Sequence, residues 1–299
     1  MALMVKKFGG SSVANAERVF NVARIITDDY KKGNNVIVVV SAMGHTTDNL
    51  LKLSKEITSN PSTREMDMLL STGEQISMSL LAMAINEAGH AAVSLTGYQV
   101  GIKTENCHMC ARIVDIETAR VKNLLSEGNI VIVAGFQGVC EGNEITTLGR
   151  GGSDTTAVAL ACAFGADRCD IYSDVEGVYT ADPRVIKTAK KLDKISYEEM
   201  LELARVGANV LHPRAVETAK QFKVPLRVRS SFKLENKGTL IVGVEDMELH
   251  KPVTGVAADL TQLRIVVCDI PDTPGHAAKI FTKLCCRIGS KNLSNIDGF

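Results

Sequence analysis

The chain has 299 residues, 45% of them hydrophobic and 23% charged, proportions that suit a globular protein with a sizeable core. Lysine plus arginine and aspartate plus glutamate both number 34, so the formal net charge is zero. A nucleic-acid or membrane-surface partner, which favours a basic excess, is therefore not expected. The apolar stretch before Lys6 is too short for a signal peptide, and no apolar run reaches the roughly 18 residues of a membrane span, so a cytoplasmic protein is expected.

In chain order, Leu3 to Val5 is a short strand that runs into Lys7-Phe8-Gly9-Gly10-Ser11-Ser12-Val13. Ala14 to Asp29 follows as a helix with Ser11-Ser12 as its cap residues. Val36 to Val40 is an aliphatic run of the kind that forms a strand covered on both faces. Arg64 to Ala88 is helical, with apolar residues at 66, 69, 70, 76, 80, 81 and 85. The strands Ala91 to Leu95 and Ile130 to Ala134 precede the turn Thr147-Leu148-Gly149-Arg150-Gly151-Gly152-Ser153-Asp154, which opens an alanine-rich helix ending at Phe164. Cys169 to Ser173 and Leu226 to Ser230 are further strands, and Ser196-Tyr197-Glu198-Glu199 is a capping box opening a helix to Leu203.

Strand–helix alternation over about 240 residues predicts an α/β fold, a three-layer αβα sandwich with a mainly parallel central sheet. Residues 1–245 are assigned to this domain and polar residues 246–254 to a linker. Residues 255–299 are assigned to a small second unit: a strand over Leu263 to Cys268, a turn at Asp272, and a helix over His276 to Leu284. About 45 residues are too few to bury a core alone.

The two glycine-rich turns carry the chemistry. Each follows a strand and opens a helix, where crowded backbone N–H groups and the helix dipole favour an anion. Lys7 offers an ammonium to phosphate oxygens, although a lysine before a tight turn is also a common surface residue. Arg150 offers a planar fork for a carboxylate, and Asp154 a carboxylate at a helix start, where aspartate is frequent on structural grounds alone. Downstream, Ser173-Asp174-Val175-Glu176-Gly177-Val178-Tyr179-Thr180-Ala181-Asp182-Pro183-Arg184 supplies Asp174 and Asp182 for a metal or ribose, Tyr179 for a purine and Arg184 for phosphate. The same segment also has the composition of a turn. Glu74, beside Gly73 in a helical pattern, is a candidate partner for an ammonium group, and Ser41 ends a buried strand where it can donate to a ligand. No Walker A pattern occurs, the dinucleotide fingerprint fails at Asp154, and protein-kinase motifs are absent. Cys107-His108-Met109-Cys110 has the spacing of a zinc half-site, but no second pair answers it; reduced thiols and no metal site are expected.

Taken together with Val39-Val40-Ser41-Ala42-Met43-Gly44, Ser71-Thr72-Gly73-Glu74 and Val210-Leu211-His212-Pro213, these motifs resemble the aspartate kinases of the amino-acid kinase superfamily, of the lysine- or lysine-plus-threonine-regulated bacterial type. The resemblance covers roughly residues 1–284. It implies the amino-acid kinase fold and transfer of the γ-phosphoryl of ATP, with Mg2+, to the β-carboxylate of L-aspartate, the entry to lysine, threonine, methionine and diaminopimelate synthesis. By matching position it implies Lys7 and Asp154 as catalytic residues, and Ser41, Thr47, Glu74, Arg150, Gly151 and Ser153 around aspartate. Lys7, Phe8, Gly9, Gly10, Ser173, Asp174, Tyr179, Asp182 and Arg184 would surround the nucleotide.

Two departures stand out. Some relatives carry a lysine where this chain has Asn209. Relatives also continue through two ACT domains that bind lysine or threonine between paired subunits. Here Asp272-Thr273-Pro274-Gly275-His276-Ala277 resembles the effector loop of the first, but the sequence after Leu284 fits poorly. A truncated ACT-like βαβ fragment, assembly into a homo-oligomer or with a regulatory subunit through it, and weak feedback inhibition are expected. Two rival readings are another amino-acid kinase and a catalytically silent amino-acid sensor.

Overall fold

The computed structural model describes residues 2–208, 210–246, 253–258 and 275–288, and the chain divides into two compact units, Met1–Ala258 and Asp259–Phe299. The strands of the first unit are β1 (Leu3–Phe8), β2 (Asn35–Val40), β3 (Ala92–Leu95), β4 (Ile102–Thr104), β5 (Ile113–Ile116) and β6 (Ile130–Ala134). They continue as β7 (Gln137–Val139), β8 (Ile145–Thr147), β9 (Arg168–Ser173), β10 (Lys194–Ser196), β11 (Leu226–Ser230) and β12 (Thr239–Val242). Its helices are α1 (Ala16–Tyr30), α2 (Thr46–Ile57), α3 (Thr63–Glu87), α4 (Gly97–Val100), α5 (Ala119–Ser126), α6 (Gly152–Phe164), α7 (Tyr197–Arg205) and α8 (Pro213–Phe222).

Eight strands form one sheet in the order β10-β12-β11-β9-β1-β2-β6-β3. All neighbours are parallel except β11 and β12. The aliphatic runs of β2 and β6 lie at its centre because both their faces are covered. One face packs Val5, Ile37, Val39, Val131, Val133 and Ile171 against α5, α6, α7 and α8. The other packs Phe8, Val36, Val38, Val40, Ile132 and Tyr172 against α1 and α3. The three-layer sandwich expected from the alternation is the observed architecture. Helix α3 is long and apolar enough to span a bilayer, but Met78, Leu81 and Ile85 bury its apolar side on the sheet.

Three local features depart from the sequence expectation. Helix α1 begins at Ala16, and its cap is Asn15, whose side chain accepts the Arg18 N–H at 3.0 Å. Ser11 and Ser12 instead sit in a 3-10 turn over Gly10–Val13, because the Ser12 N–H bonds back to the Gly9 carbonyl at 2.9 Å. A second sheet, in the order β5-β4-β7-β8, crosses the ends of α3 and α6 and is built from strands of three or four residues. Residues Val253–Ala258 stay with the first unit, where the Val256 N–H donates to the Thr180 carbonyl at 2.8 Å and Thr254 donates to Glu199.

In the second unit, α9 (His276–Ile288) matches the expected helix and starts after Gly275. The strand expected over Leu263 to Cys268, effector-loop residues Asp272, Thr273 and Pro274, and Asn209 lie outside the described residues.

Candidate active site

The sheet order reverses at β1: the chain proceeds to β2 on one side and later to β9 on the other. In an open α/β sheet a ligand binds outside the carboxyl ends of the strands at such a switch point. Phe8 pairs with Val40 and with Tyr172, and Val40 with Ala134, so Gly9, Ser41, Gly135 and Ser173 all leave the sheet along one rim. The Gly9 N–H donates to the Tyr172 carbonyl at 3.1 Å and the Ser41 N–H to the Phe8 carbonyl at 3.1 Å, which ties the rim together.

Successive residues of a strand face opposite ways, and β1 uses this to separate two lysines. Lys6 turns to the α1 side, fully buried, where Asp29 pairs with it and Tyr172 Oη lies at 3.3 Å. Lys7 turns to the α6 side, where its Nζ stands 2.7 Å from Asp154 Oδ1. This contact is an ion pair rather than an aligned hydrogen bond, and both side chains keep 12–13% of their surface exposed. The two glycine-rich turns, 147 residues apart at Lys7 and Asp154, thus meet at one point.

The turns can close only because of their glycines. A Cβ on Gly10 would stand 2.6 Å from the Ala42 carbonyl oxygen, so this turn presses directly on the loop after β2. Gly151 holds a left-handed φ of 67°, and a Cβ there would lie 2.3–2.5 Å from the ring and Cβ of His212. His212 caps α8, its Nδ1 accepting from the Arg214 N–H at 3.3 Å, and burial, then Arg214, lowers its pKa. The amides of Ser153 and Asp154, in the first turn of α6, have no backbone acceptor among the described residues, as helix starts require.

Glu74 projects from α3 against the loop after β2. Its Oε1 accepts the Ala42 N–H at 3.1 Å, and Oε2 is buried with no partner. Burial pushes this carboxyl up to about 7, outweighing its backbone hydrogen bonds. A buried acid with an orphan oxygen is suited to meet a cation. Neighbouring Ser77 Oγ donates to the Ser41 carbonyl at 2.8 Å, fixing α3 to the same rim.

The structure therefore brings Lys7, Gly9, Gly10, Ser41, Glu74, Gly151, Ser153, Asp154 and Ser173 to adjoining strand ends, loops and helices, and Thr47 lies half-buried in the first turn of α2. Phe8 turns its ring away, fully buried and stacked on Tyr172 at 4.6 Å, and so supports the turn from behind. Arg150 and Asp174 are exposed on their loops. Asp182 and Arg184 engage each other in a two-point ion pair, at 2.8 and 3.1 Å, rather than standing apart for separate ligands. Tyr179 pairs with Lys191 in an isolated bridge, and burial raises its pKa. Sequence reasoning overlooked Asp67 and assigned no role to His212. A histidine immediately before a proline is a helix-cap signal that points to His212, whereas nothing local distinguishes Asp67.

Residues 2–230 match the model of the amino acid kinase family, and the chain belongs to that family. Relatives within it include aspartokinases. The chain is 58% identical over 287 residues to the aspartokinase of Geobacillus stearothermophilus, covering 96% of this chain and 70% of that protein. Its structure is similar to aspartate kinase from Synechocystis, with a TM-score of 0.73 and 51% identity, covering 86% of this chain and 41% of that one. It is also similar to E. coli aspartokinase III in complex with aspartate and ADP, with a TM-score of 0.72 and 31% identity, covering 81% of this chain and 64% of that one. The same E. coli enzyme in complex with lysine and aspartate gives a TM-score of 0.71 at 31% identity, over 82% of this chain and 65% of that one. The chain thus spans less than two thirds of these solved chains.

Proposed function

We propose that the chain transfers the γ-phosphoryl group of ATP to the β-carboxylate of L-aspartate, giving 4-phospho-L-aspartate and ADP. The observation that supports this reading is the 2.7 Å approach of Lys7 to Asp154, which brings the two glycine-rich turns together. A β-carboxylate oxygen attacks the γ-phosphorus, the bond to the bridging oxygen breaks, and ADP leaves with that electron pair. The acceptor is already an anion, so no general base is needed; alignment and charge neutralisation must supply the rate. Lys7 would neutralise charge on the moving phosphoryl group, and Asp154 would hold its ammonium in place. The backbone of Gly9 and Gly10, with Ser173, Asp174, Tyr179, Asp182 and Arg184, would line the nucleotide side.

On the acceptor side, Glu74 would meet the ammonium of aspartate with its orphan Oε2, and Arg150 would clamp the α-carboxylate. Ser41, Thr47, Gly151 and Ser153 would complete the contacts. Among the described residues no cluster of three or more His, Cys, Asp or Glu forms a cation cage. Mg2+ would arrive on the nucleotide's phosphates, with Asp174, exposed on its loop, a carboxylate available to it. When bound, Mg2+ supplies charge neutralisation on the phosphates. A cytoplasmic location, assembly through the second unit and lysine as an effector belong to the same reading. The lysine complex of E. coli aspartokinase III supports the effector.

The test is ADP release together with hydroxylamine trapping of the acyl phosphate, with aspartate, glutamate and N-acetylglutamate as acceptors. Aspartyl hydroxamate formed from aspartate alone is the expected result. ATP consumption independent of acceptor, or a preference for glutamate, would overturn the reading.

A further inference from the structure

Between β4 and β5 the chain makes a tight loop that the proposed reaction does not use. Cys107 and Cys110 are both free and exposed, and their sulfurs lie 2.8 Å apart. The loop between them is held from below by one buried carboxylate. Asp67 of α3, fully buried, takes the Met109 N–H at 3.1 Å on both oxygens, the His108 ring Nδ1 at 2.7 Å and Thr147 Oγ1 at 2.5 Å. Met109 is fixed in a left-handed conformation, φ 67°, which non-glycine residues rarely adopt. The Ala111 N–H donates to the Thr147 carbonyl at 3.0 Å. The Met109 carbonyl oxygen would stand 3.1 Å from a Cβ on Gly149, so the dithiol loop rests on the turn that carries Arg150.

We propose that Cys107 and Cys110 form a dithiol–disulfide site, oxidised by thiol–disulfide exchange with a small disulfide, and that its closure shifts the Gly149–Gly151 turn and weakens aspartate binding. The substrate half rests on the reading of Arg150 as the aspartate clamp. The exchange balances as follows. The Cys110 thiolate attacks one sulfur of the small disulfide, forming a mixed disulfide and expelling one thiolate. Cys107 then loses its proton and attacks the Cys110 sulfur, expelling the second thiolate. Two protein thiols are oxidised, one disulfide is reduced to two thiols, and the two protons leave on them. Both thiols are exposed, so the same steps with the two cysteines exchanged balance equally.

The two sulfurs are already in reach, and the loop closed by the bond holds only His108 and Met109 between the cysteines. A change there acts directly on the Met109 carbonyl and on the bonds to Asp67. The other free cysteines of the described residues are unlike this pair: Cys169 is fully buried, and burial pushes the Cys162 thiol up to about 11.

The experiment uses the full chain, reduced and then freed of reductant, incubated with excess oxidised glutathione. Wild type, Cys107→Ser and Cys110→Ser are compared by intact mass and by mapping tryptic peptide 104–112. Wild type is expected to lose the mass of two hydrogens within that peptide and to retain no glutathione on it, whereas Cys107→Ser should retain a glutathione on Cys110. Oxidation should change the rate of trypsin cleavage after exposed Arg150. It should also raise the aspartate KM about fivefold with the ATP KM unchanged, roughly one lost hydrogen bond or about 1 kcal/mol, and dithiothreitol should reverse both. Stable glutathione adducts on Cys107 or Cys110 of wild type, or a 107–110 disulfide that leaves Arg150 cleavage or the aspartate KM unchanged, would overturn the inference. The cleavage and mass readouts need no turnover. If reduced protein shows no aspartate-dependent phosphorylation, the proposed function fails while the redox site is still judged on them.

Discussion

Replacing Glu74 by Gln removes a buried carboxyl of the site whose Oε2 has no partner among the described residues. In the folded protein that carboxyl is raised from 4.5 to about 7 because it is buried, so the native state binds its proton more tightly than the unfolded chain does. Native stability must then fall as pH rises from about 4.5 through about 7, and level off above that. At 1.36 kcal/mol per tenfold change in protonation, the full displacement is worth about 3 kcal/mol, of which about 2.5 kcal/mol is spent between about pH 5 and about pH 8. Urea unfolding followed by far-UV circular dichroism should show this slope in wild type and lose it in Glu74→Gln, which becomes the more stable protein, relative to wild type, at the alkaline end. An ammonium placed against Oε2 would drive the proton off, so aspartate affinity measured by calorimetry should rise with pH up to about 7 in wild type. In Glu74→Gln it should be weaker and flat. Parallel stability curves for the two proteins would refute the claim that burial of this carboxyl is costly, and parallel affinity curves would remove Glu74 from the ammonium site.

Lys7→Ala should lower kcat by about 10²–10³ in the coupled assay, the usual loss when one charge-stabilising donor is removed; a rate within about tenfold of wild type would exclude Lys7 from the chemistry. Arg150→Ala should raise the aspartate KM more than about tenfold, the value of a charge-assisted pair, with the ATP KM unchanged, and equal effects on both would reassign it to phosphate. Gly10→Ala should cost about 1–3 kcal/mol in urea melts, because its Cβ would meet the Ala42 carbonyl oxygen at 2.6 Å. It should also weaken nucleotide binding measured by calorimetry, and a fully stable Gly10→Ala that binds ATP normally would show that the two loops can part freely.

The central layer was legible because its signals are local. Val36–Val40 and Ile130–Ala134 are uninterrupted aliphatic runs, and each is a strand buried along nearly its whole length. Ser196 and Glu199 form the capping box expected of them, with both reciprocal bonds present. The small sheet was not legible, since β5 reads Ile-Val-Asp-Ile and Val114 is exposed, so neither alternation nor a continuous run marks it. Helix α2 was also missed: it buries no residue completely, and its apolar residues Leu53 and Ile57 are exposed. At the site, the glycine turns announced themselves, but the contact of Gly151 with His212 joins residues 61 positions apart and depends on how α6 and α8 pack. The pairing of Asp182 with Arg184 was within reach of the sequence, because two opposite charges two residues apart across a proline are well placed to meet.

The alternation of Lys6 and Lys7 on β1 makes strand alignment a matter of function as well as of stability. A slip of one residue would give one acid the other lysine and leave the second acid with none: either Lys6 would face Asp154 with Val5 opposite Asp29, or Lys7 would face Asp29 with Phe8 opposite Asp154. The stacking of Phe8 on Tyr172 holds the same frame as the two ion pairs, along the ladders to β2 and β9. Damage to that stack should therefore surface as an enzyme that is folded but out of phase, with turnover failing well before the melting temperature does.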